Sequence, residues 1–215
     1  GPFANSVQMI ETAMQIIDPS FHPAKALEQA PKLAILNVPA SDEVNTCIAE
    51  YLAQAGLAVA HVDLASFDDA FHAGMQIINF ENWQAYGVLT DTGLLGSDVH
   101  ARLLQASETT QQQVTEAAQV KERFTEEVDA LLSQYDALLL PTLPQIPPQV
   151  ADAENTVAFL NLTGLVRPFN LSGHPAISVP LETKQGLPVG LQIVAKKNAD
   201  EQLCAIAEFV MKATQ

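Results

Sequence analysis

The chain has 215 residues, 48% hydrophobic and 16% charged, a composition typical of a globular protein with a sizeable core. Its 25 acidic and 10 basic residues give a formal net charge of −15, which argues against nucleic acid and anionic membrane surfaces as partners. Cys47 and Cys204 lie outside any metal-binding pattern, and neither a signal peptide nor an apolar membrane span is visible. We therefore expect two free thiols in a cytoplasmic protein.

The first part of the chain predicts a helix and then a strand–helix–strand unit. Apolar residues recur at helical spacing near the start, at Val7, Ile10, Met14 and Ile17. Residues 33–36 and 57–62 form two short apolar runs, and Ser41 is placed to cap a helix between them. Because two parallel strands joined by one helix form a crossover unit, the predicted fold class is α/β.

The middle of the chain predicts two more helices and a buried strand. Ser66 and Asp69 have the spacing of a capping box ahead of a helical stretch, and residues 107–134 carry a long amphipathic pattern. Residues 137–140 then read as a strand, or alternatively as a short buried piece of helix, that Pro141 ends. A proline-rich surface loop is expected to follow.

The last part predicts a hairpin and a closing helix. Two apolar runs within residues 175–195 flank Lys184-Gln185-Gly186, as in a β-hairpin, and residues 199–213 are amphipathic. No internal repeat or linker divides the chain. We therefore expect residues 1–215 to form a single α/β domain.

Ser172 and His174 are the most obvious catalytic candidates, because a serine nucleophile needs a base nearby. No G-x-S-x-G elbow surrounds Ser172, and Ser172-Gly173-His174-Pro175 resembles a turn. We favour hydrogen bonding of turn amides by Ser172 and Asn170, with a catalytic pair as the alternative.

Other sequence patterns give little sign of a cofactor. The remaining histidines match no metal motif and the glycines form no phosphate-binding loop, so we expect neither a metal nor a cofactor. Arg102 and Arg167 are scarce cations in an acidic chain and suit bidentate binding of a carboxylate. We favour a structural ion pair for each, with binding of a carboxylate as the alternative.

Three ordered motifs in the last eighty residues resemble the C-terminal region of the amidase signature family. They are YDALLLPTLP (135–144), NLSGHPAISVP (170–180) and GLPVGLQ (186–192). More loosely, GPFANSV at the start resembles the family's GP-x-A-x-S-V, and residues 97–107 lie where the family has an Arg-bearing helix end. The resemblance implies a mixed β-sheet flanked by helices, and it spans nearly the whole chain.

The chain departs from the family in one large respect. Amidase signature enzymes hydrolyse amides with a Ser–cis-Ser–Lys triad on a Gly/Ser-rich segment that precedes GP-x-A-x-S-V, and this chain contains no such segment. The resemblance therefore implies the C-terminal portion of an amidase, inactive alone, whose partner is the N-terminal half of the fold. The alternative is a stand-alone α/β module that binds a small ligand or a partner protein without catalysis.

The resemblance also indicates a pocket wall. The candidate substrate-binding residues are Thr142, Thr163, Arg167, Phe169, Asn170 and Arg102, the last by a looser alignment. Glutaminase subunits of tRNA-dependent amidotransferases carry an Asp at the position of Thr163, where it holds the amino group of glutamine. Thr163 therefore disfavours glutamine, and a small or apolar amide is the expected substrate.

Overall fold

The centre of the protein is a five-stranded mixed sheet, in a computed structural model that describes residues 1–152 and 162–213. The strands are β1 (Leu33–Leu36), β2 (Val59–Val62), β3 (Ala137–Pro141), β4 (Ala176–Glu182) and β5 (Pro188–Val194). Their order across the sheet is β2-β1-β3-β5-β4. β1 runs parallel to β2 and β3, whereas β5 runs antiparallel to β3 and β4. The α/β class and the hairpin predicted near the C-terminus are confirmed.

Helices pack on both faces of this sheet. In the described residues they are α1 (Val7–Ile17), α2 (Asp42–Gln54), α3 (Phe67–Tyr86), α4 (Ser97–Ala106), α5 (Gln111–Leu132), α6 (Arg167–Ser172) and α7 (Asp200–Lys212). A 3₁₀ turn over Gly87–Thr92 joins α3 to α4. The Ser41 hydroxyl accepts from the Val44 N–H at 3.4 Å, which confirms the predicted cap of α2.

Alternation along the strands separates two layers of core. Leu139, Leu191 and Ile193 point to the face covered by α1, α2 and α7. Leu138, Leu140 and Val194 point to the opposite face, where α3, α5 and α6 pack. We call this second face the α6 face, because it carries the candidate pocket wall.

One helix cap and one helix boundary differ from the sequence prediction. The capping box expected at Ser66 and Asp69 does not form: the Ser66 side chain makes no cap, and its backbone N–H donates to the Glu127 carboxylate at 3.0 Å. The long helix predicted over 107–134 begins only at Gln111, where Thr110 and Gln113 form a capping box. For α5, the capping box satisfies N–H groups that have no partner within the helix and so marks its start.

The short helix α6 was not predicted. The residues before Ser172 were expected to lead into a turn, but they form a helix with Pro168 in its first turn, where proline is tolerated. Gly173 ends it with a φ of 75°, a left-handed conformation that favours glycine. The predicted turn is therefore confined to the residues between α6 and β4.

Strand β4 forms one edge of the described sheet. The Thr142 N–H donates to the Gly190 carbonyl at 2.7 Å, so the peptide groups of Gly190 face β3. Pro180 is opposite Gly190 on β4, and its missing N–H therefore belongs to the outer edge, where proline does not interrupt the ladder.

None of the described helices has the length and apolarity needed to cross a bilayer.

Candidate functional site: a pocket wall on the α6 face

Residues 162–166 and α6 are fixed to the sheet by a buried side chain. The Gln192 amide donates to the Leu165 carbonyl at 3.2 Å, and Gln192 is only 4% exposed. Gln192 shares a sheet face with Gly190 and Val194, because alternate residues of a strand point the same way. The candidate residues Thr163 and Arg167 therefore lie on the α6 face.

Arg167 occupies an unusual environment at the start of α6. Its guanidinium lies over the ring of Phe71, 4.4 Å from the centroid, and Nη2 donates to the Thr163 hydroxyl at 2.9 Å. Nη1 is buried and has no hydrogen-bond partner among the described residues. Burial lowers the pKa of Arg167 from its ordinary value. The structural ion pair considered for Arg167 is not formed with any carboxylate in the described parts of the chain.

Phe169 and Asn170 follow on the same short helix but have different surroundings. Phe169 is 1% exposed and packs against Phe67 and Phe124, with ring centroids 6.0 Å and 5.9 Å away. Asn170 is exposed. Phe169 therefore anchors the wall in the core, while Asn170 presents its side chain at the surface.

Thr142 follows β3 and meets a second hydroxyl on β4. Its Oγ1 lies 2.6 Å from Ser178 Oγ, across the intervening strand β5. The two side chains meet above Gly190, where a Cβ atom would lie 2.5 Å from Thr142 Oγ1 and 2.7 Å from Ser178 Oγ. The close contact of the two hydroxyls therefore depends on glycine at position 190.

Arg102 lies apart from these residues. It sits on α4, and its exposed side chain makes no ion pair or hydrogen bond with another described residue. The structure thus brings Thr163 and Arg167 into contact and places Phe169 and Asn170 beside them on α6. It does not join Arg102 to this group through any described contact.

Ser172 and His174 do form a hydrogen-bonded chain, with a third member that the sequence did not suggest. Ser172 Oγ lies 2.8 Å from His174 Nδ1, and His174 Nε2 lies 3.0 Å from Asp129 Oδ1 on α5. Ser172 and His174 are both buried. Burial lowers the pKa of His174, although the hydrogen bond and charge of Asp129 oppose this shift.

The hydrogen bonds among Ser172, His174 and Asp129 form a structural brace. Because a carboxylate accepts and does not donate, the neutral ring places its proton on Nε2 toward Asp129 and leaves Nδ1 to accept from Ser172. In a serine hydrolase the carboxylate holds Nδ1 and the serine meets Nε2, so the ring is used in the opposite sense. The Ser172 hydroxyl also lies 3.3 Å from the Phe169 carbonyl and not against the turn amides expected from the sequence, but its single proton is directed to the shorter contact with His174. These bonds fix the end of α6 to α5.

No group of three metal-ligating side chains occurs among the residues that the structure describes.

Some contacts near α6 could not be foreseen from the sequence. Gln192 and Ser178 lie within the quoted motifs, which gave a signal for them. Phe71 and Asp129 lie far from those motifs and gave none.

Comparisons with known proteins show to which family this mixed sheet and its helices belong. The model of the family described as Amidase matches residues 1–204, so the chain belongs to the amidase family. It is 34% identical over 96 residues to a glutamyl-tRNA(Gln) amidotransferase subunit from Thermotoga maritima, covering 45% of this chain and 20% of that protein.

Solved structures extend the likeness to the whole fold. A crystal structure of an amidase superposes with a TM-score of 0.85 at 20% identity, over 99% of this chain and 52% of that one. A bacterial aryl acylamidase of the amidase signature family superposes with a TM-score of 0.76 at 20% identity, again over 99% and 52%. The chain thus spans about half the length of these solved relatives and corresponds to the C-terminal portion of full-length homologues.

Proposed function

We propose that residues 1–215 form one domain that is the C-terminal portion of an amide hydrolase. In this proposal the domain supplies sheet strands and one wall of the substrate pocket, and the N-terminal half of the amidase fold supplies the Ser–cis-Ser–Lys residues. The observation that carries the proposal is the exposed surface on the α6 face beside β4. There Ser178 and Pro180 are exposed, next to the segment bearing Thr163 and Arg167.

An exposed apolar stretch also supports a missing partner over a stand-alone module. Large apolar side chains between the end of α3 and α4 face solvent, among them Tyr86, Val88 and Leu94, the last 85% exposed. Surfaces of this kind usually mark contacts with another protein part. A self-contained binding module would be expected to have a polar surface there.

For the substrate we propose a small or apolar carboxylic amide, bound beside Thr142, Thr163, Arg167 and Asn170, with Phe169 supporting this wall from the core and Arg102 as a further candidate contact. The hydroxyl of Thr163 bonds to Arg167 and carries no charge that would hold an ammonium group. An α-amino acid amide such as glutamine therefore has no partner at this position for its amino group. No nucleic acid, membrane or cofactor takes part in the proposed reaction.

The test compares this chain alone with the same chain joined to an amidase N-terminal half. Ammonia release is measured with propionamide, benzamide and glutamine. We expect release only from the joined protein, with both simple amides preferred to glutamine. Comparable turnover by residues 1–215 alone would overturn the assignment of catalysis to the N-terminal half. A preference for glutamine would overturn the substrate assignment.

A further inference from the structure

The paired hydroxyls of Thr142 and Ser178 suggest a more specific role for this wall. Thr142 lies at the end of β3 and Ser178 lies on the edge strand β4, so the two residues are separated by β5. Side chains on strands that are not neighbours meet only if the strand between them leaves room. Gly190 leaves that room, because any Cβ there would lie within 2.7 Å of both hydroxyl oxygens.

The backbone fixes this arrangement as well as the side chains do. The Thr142 N–H donates to the Gly190 carbonyl at 2.7 Å, which holds Thr142 directly opposite the glycine. On the other side, β4 pairs with β5 in a register that places Pro180 opposite Gly190 and Ser178 opposite Gln192. Both hydroxyls are therefore held by the sheet and need no ordering when a ligand arrives.

The pair lies at the surface of the described chain, on the face that carries the candidate site. Ser178 is exposed and Thr142 is half-buried. Gly190 and Gln192 share one face of β5, and Gln192 bonds to the segment that carries Thr163 and Arg167. The two hydroxyls and the segment that carries Thr163 and Arg167 thus lie on the same side of the sheet, the α6 face.

Two hydroxyls 2.6 Å apart form a site with both donor and acceptor capacity. One O–H is used within the pair, so the second O–H remains free to donate outward, and lone pairs on the oxygens remain free to accept. A carboxamide presents the matching groups, because its oxygen accepts, its nitrogen donates, and both are bonded to one carbon. An ester has no N–H to donate.

We propose that the Thr142–Ser178 pair, held over Gly190, binds the carboxamide of the substrate and gives the enzyme its preference for amides over esters. This inference rests on the proposed amide hydrolase function. It adds Ser178 and Gly190 to the candidate residues and assigns them a role in distinguishing two classes of acyl compound.

The experiment uses the protein joined to its N-terminal half and compares benzamide with methyl benzoate. We expect Ser178→Ala and Thr142→Val each to lower the ratio of amide to ester kcat/KM about tenfold, the effect of one lost hydrogen bond. Thr142→Ser keeps a hydroxyl and should retain most of the ratio. Ser133→Ala removes an exposed hydroxyl that caps α5 locally, and it serves as the matched control.

The possible outcomes distinguish failure of this inference from failure of the proposed amide hydrolase function. If the unsubstituted protein hydrolyses neither compound, the proposed function itself fails. If it is active and the Ala and Val variants keep the ratio, or lose amide and ester turnover equally, the binding role of the pair is overturned. Urea unfolding of each variant establishes that it is folded. Gly190→Ala, which displaces both hydroxyls, should also lower the ratio of amide to ester kcat/KM.

Discussion

Ser172 Oγ and His174 Nδ1 are 2.8 Å apart, and the opposite ring nitrogen of His174 is 3.0 Å from Asp129. Ser, His and Asp are the residue types of a catalytic triad. Here Ser172 and His174 are buried, and the His174 ring presents Nδ1 to the serine and Nε2 to the carboxylate, the reverse of a catalytic triad, so the three residues form a structural brace. The brace ties the end of α6 to α5 and so fixes the segment that carries Arg167 and Asn170.

Replacement of Ser172 by Ala should therefore leave catalysis largely intact. In the protein joined to its N-terminal half, we expect kcat for benzamide to change by no more than about threefold. Because this change leaves the buried Nδ1 of His174 without a partner, it should lower the free energy of unfolding by about 1–3 kcal/mol. Loss of a serine nucleophile would instead lower kcat roughly 10⁶-fold, and such a result would show that Ser172 is catalytic.

Acidification should weaken the fold through His174. Its pKa is lowered in the folded chain by burial, and Lys197 acts in the same direction, whereas Asp129 opposes them. The unfolded chain has an ordinary histidine pKa of about 6.5, so it takes up protons first as the pH falls. The stabilisation is fully present above about pH 6.5 and is lost as the pH falls through the folded pKa.

The measurement is urea unfolding at pH 7.5 and pH 5 for the wild type and His174→Gln. The other four histidines are present in both proteins, so their contributions cancel in the difference. We expect the wild type to lose more stability than the variant between the two pH values. An equal loss would mean that His174 does not titrate differently on folding.

Phe169 should prove important for stability even without a substrate. It is nearly fully buried between Phe67 and Phe124, so Phe169→Ala leaves a cavity and should cost about 3–5 kcal/mol. Thermal unfolding of residues 1–215 alone measures this. Phe169→Leu, which fills more of the space, should be less destabilising, and a stable alanine variant would contradict the core role described above.

Arg102 offers the opposite case, because it is exposed and has no described partner. Arg102→Ala should change the free energy of unfolding by no more than about 0.5 kcal/mol. If Arg102 contacts substrate, the same variant raises KM in the protein joined to its N-terminal half. An unchanged KM would remove Arg102 from the candidate site, while Lys121→Ala on exposed α5 serves as a charge-matched control.

Local pattern predicted the main elements because each signal depends on neighbouring residues. The strands at 33–36 and 137–140, the cap at Ser41 and the C-terminal hairpin all follow from periodicity and capping chemistry. The predictions fail where a distant residue decides the local structure. Nothing near Ser66 in the sequence indicates that its N–H donates to Glu127, which lies 61 residues further along. The short helix α6 was missed because six residues carry too little periodic signal.

The sequence by itself determined the α/β class, the order of the elements and the motifs shared with amidases, because these depend on the spacing of residue types along one chain. Only the tertiary structure decided which distant groups meet. It brings Asp129 to His174, Phe71 beneath Arg167, and Ser178 to Thr142 across Gly190. These contacts depend on strand register and helix packing, which no local pattern specifies.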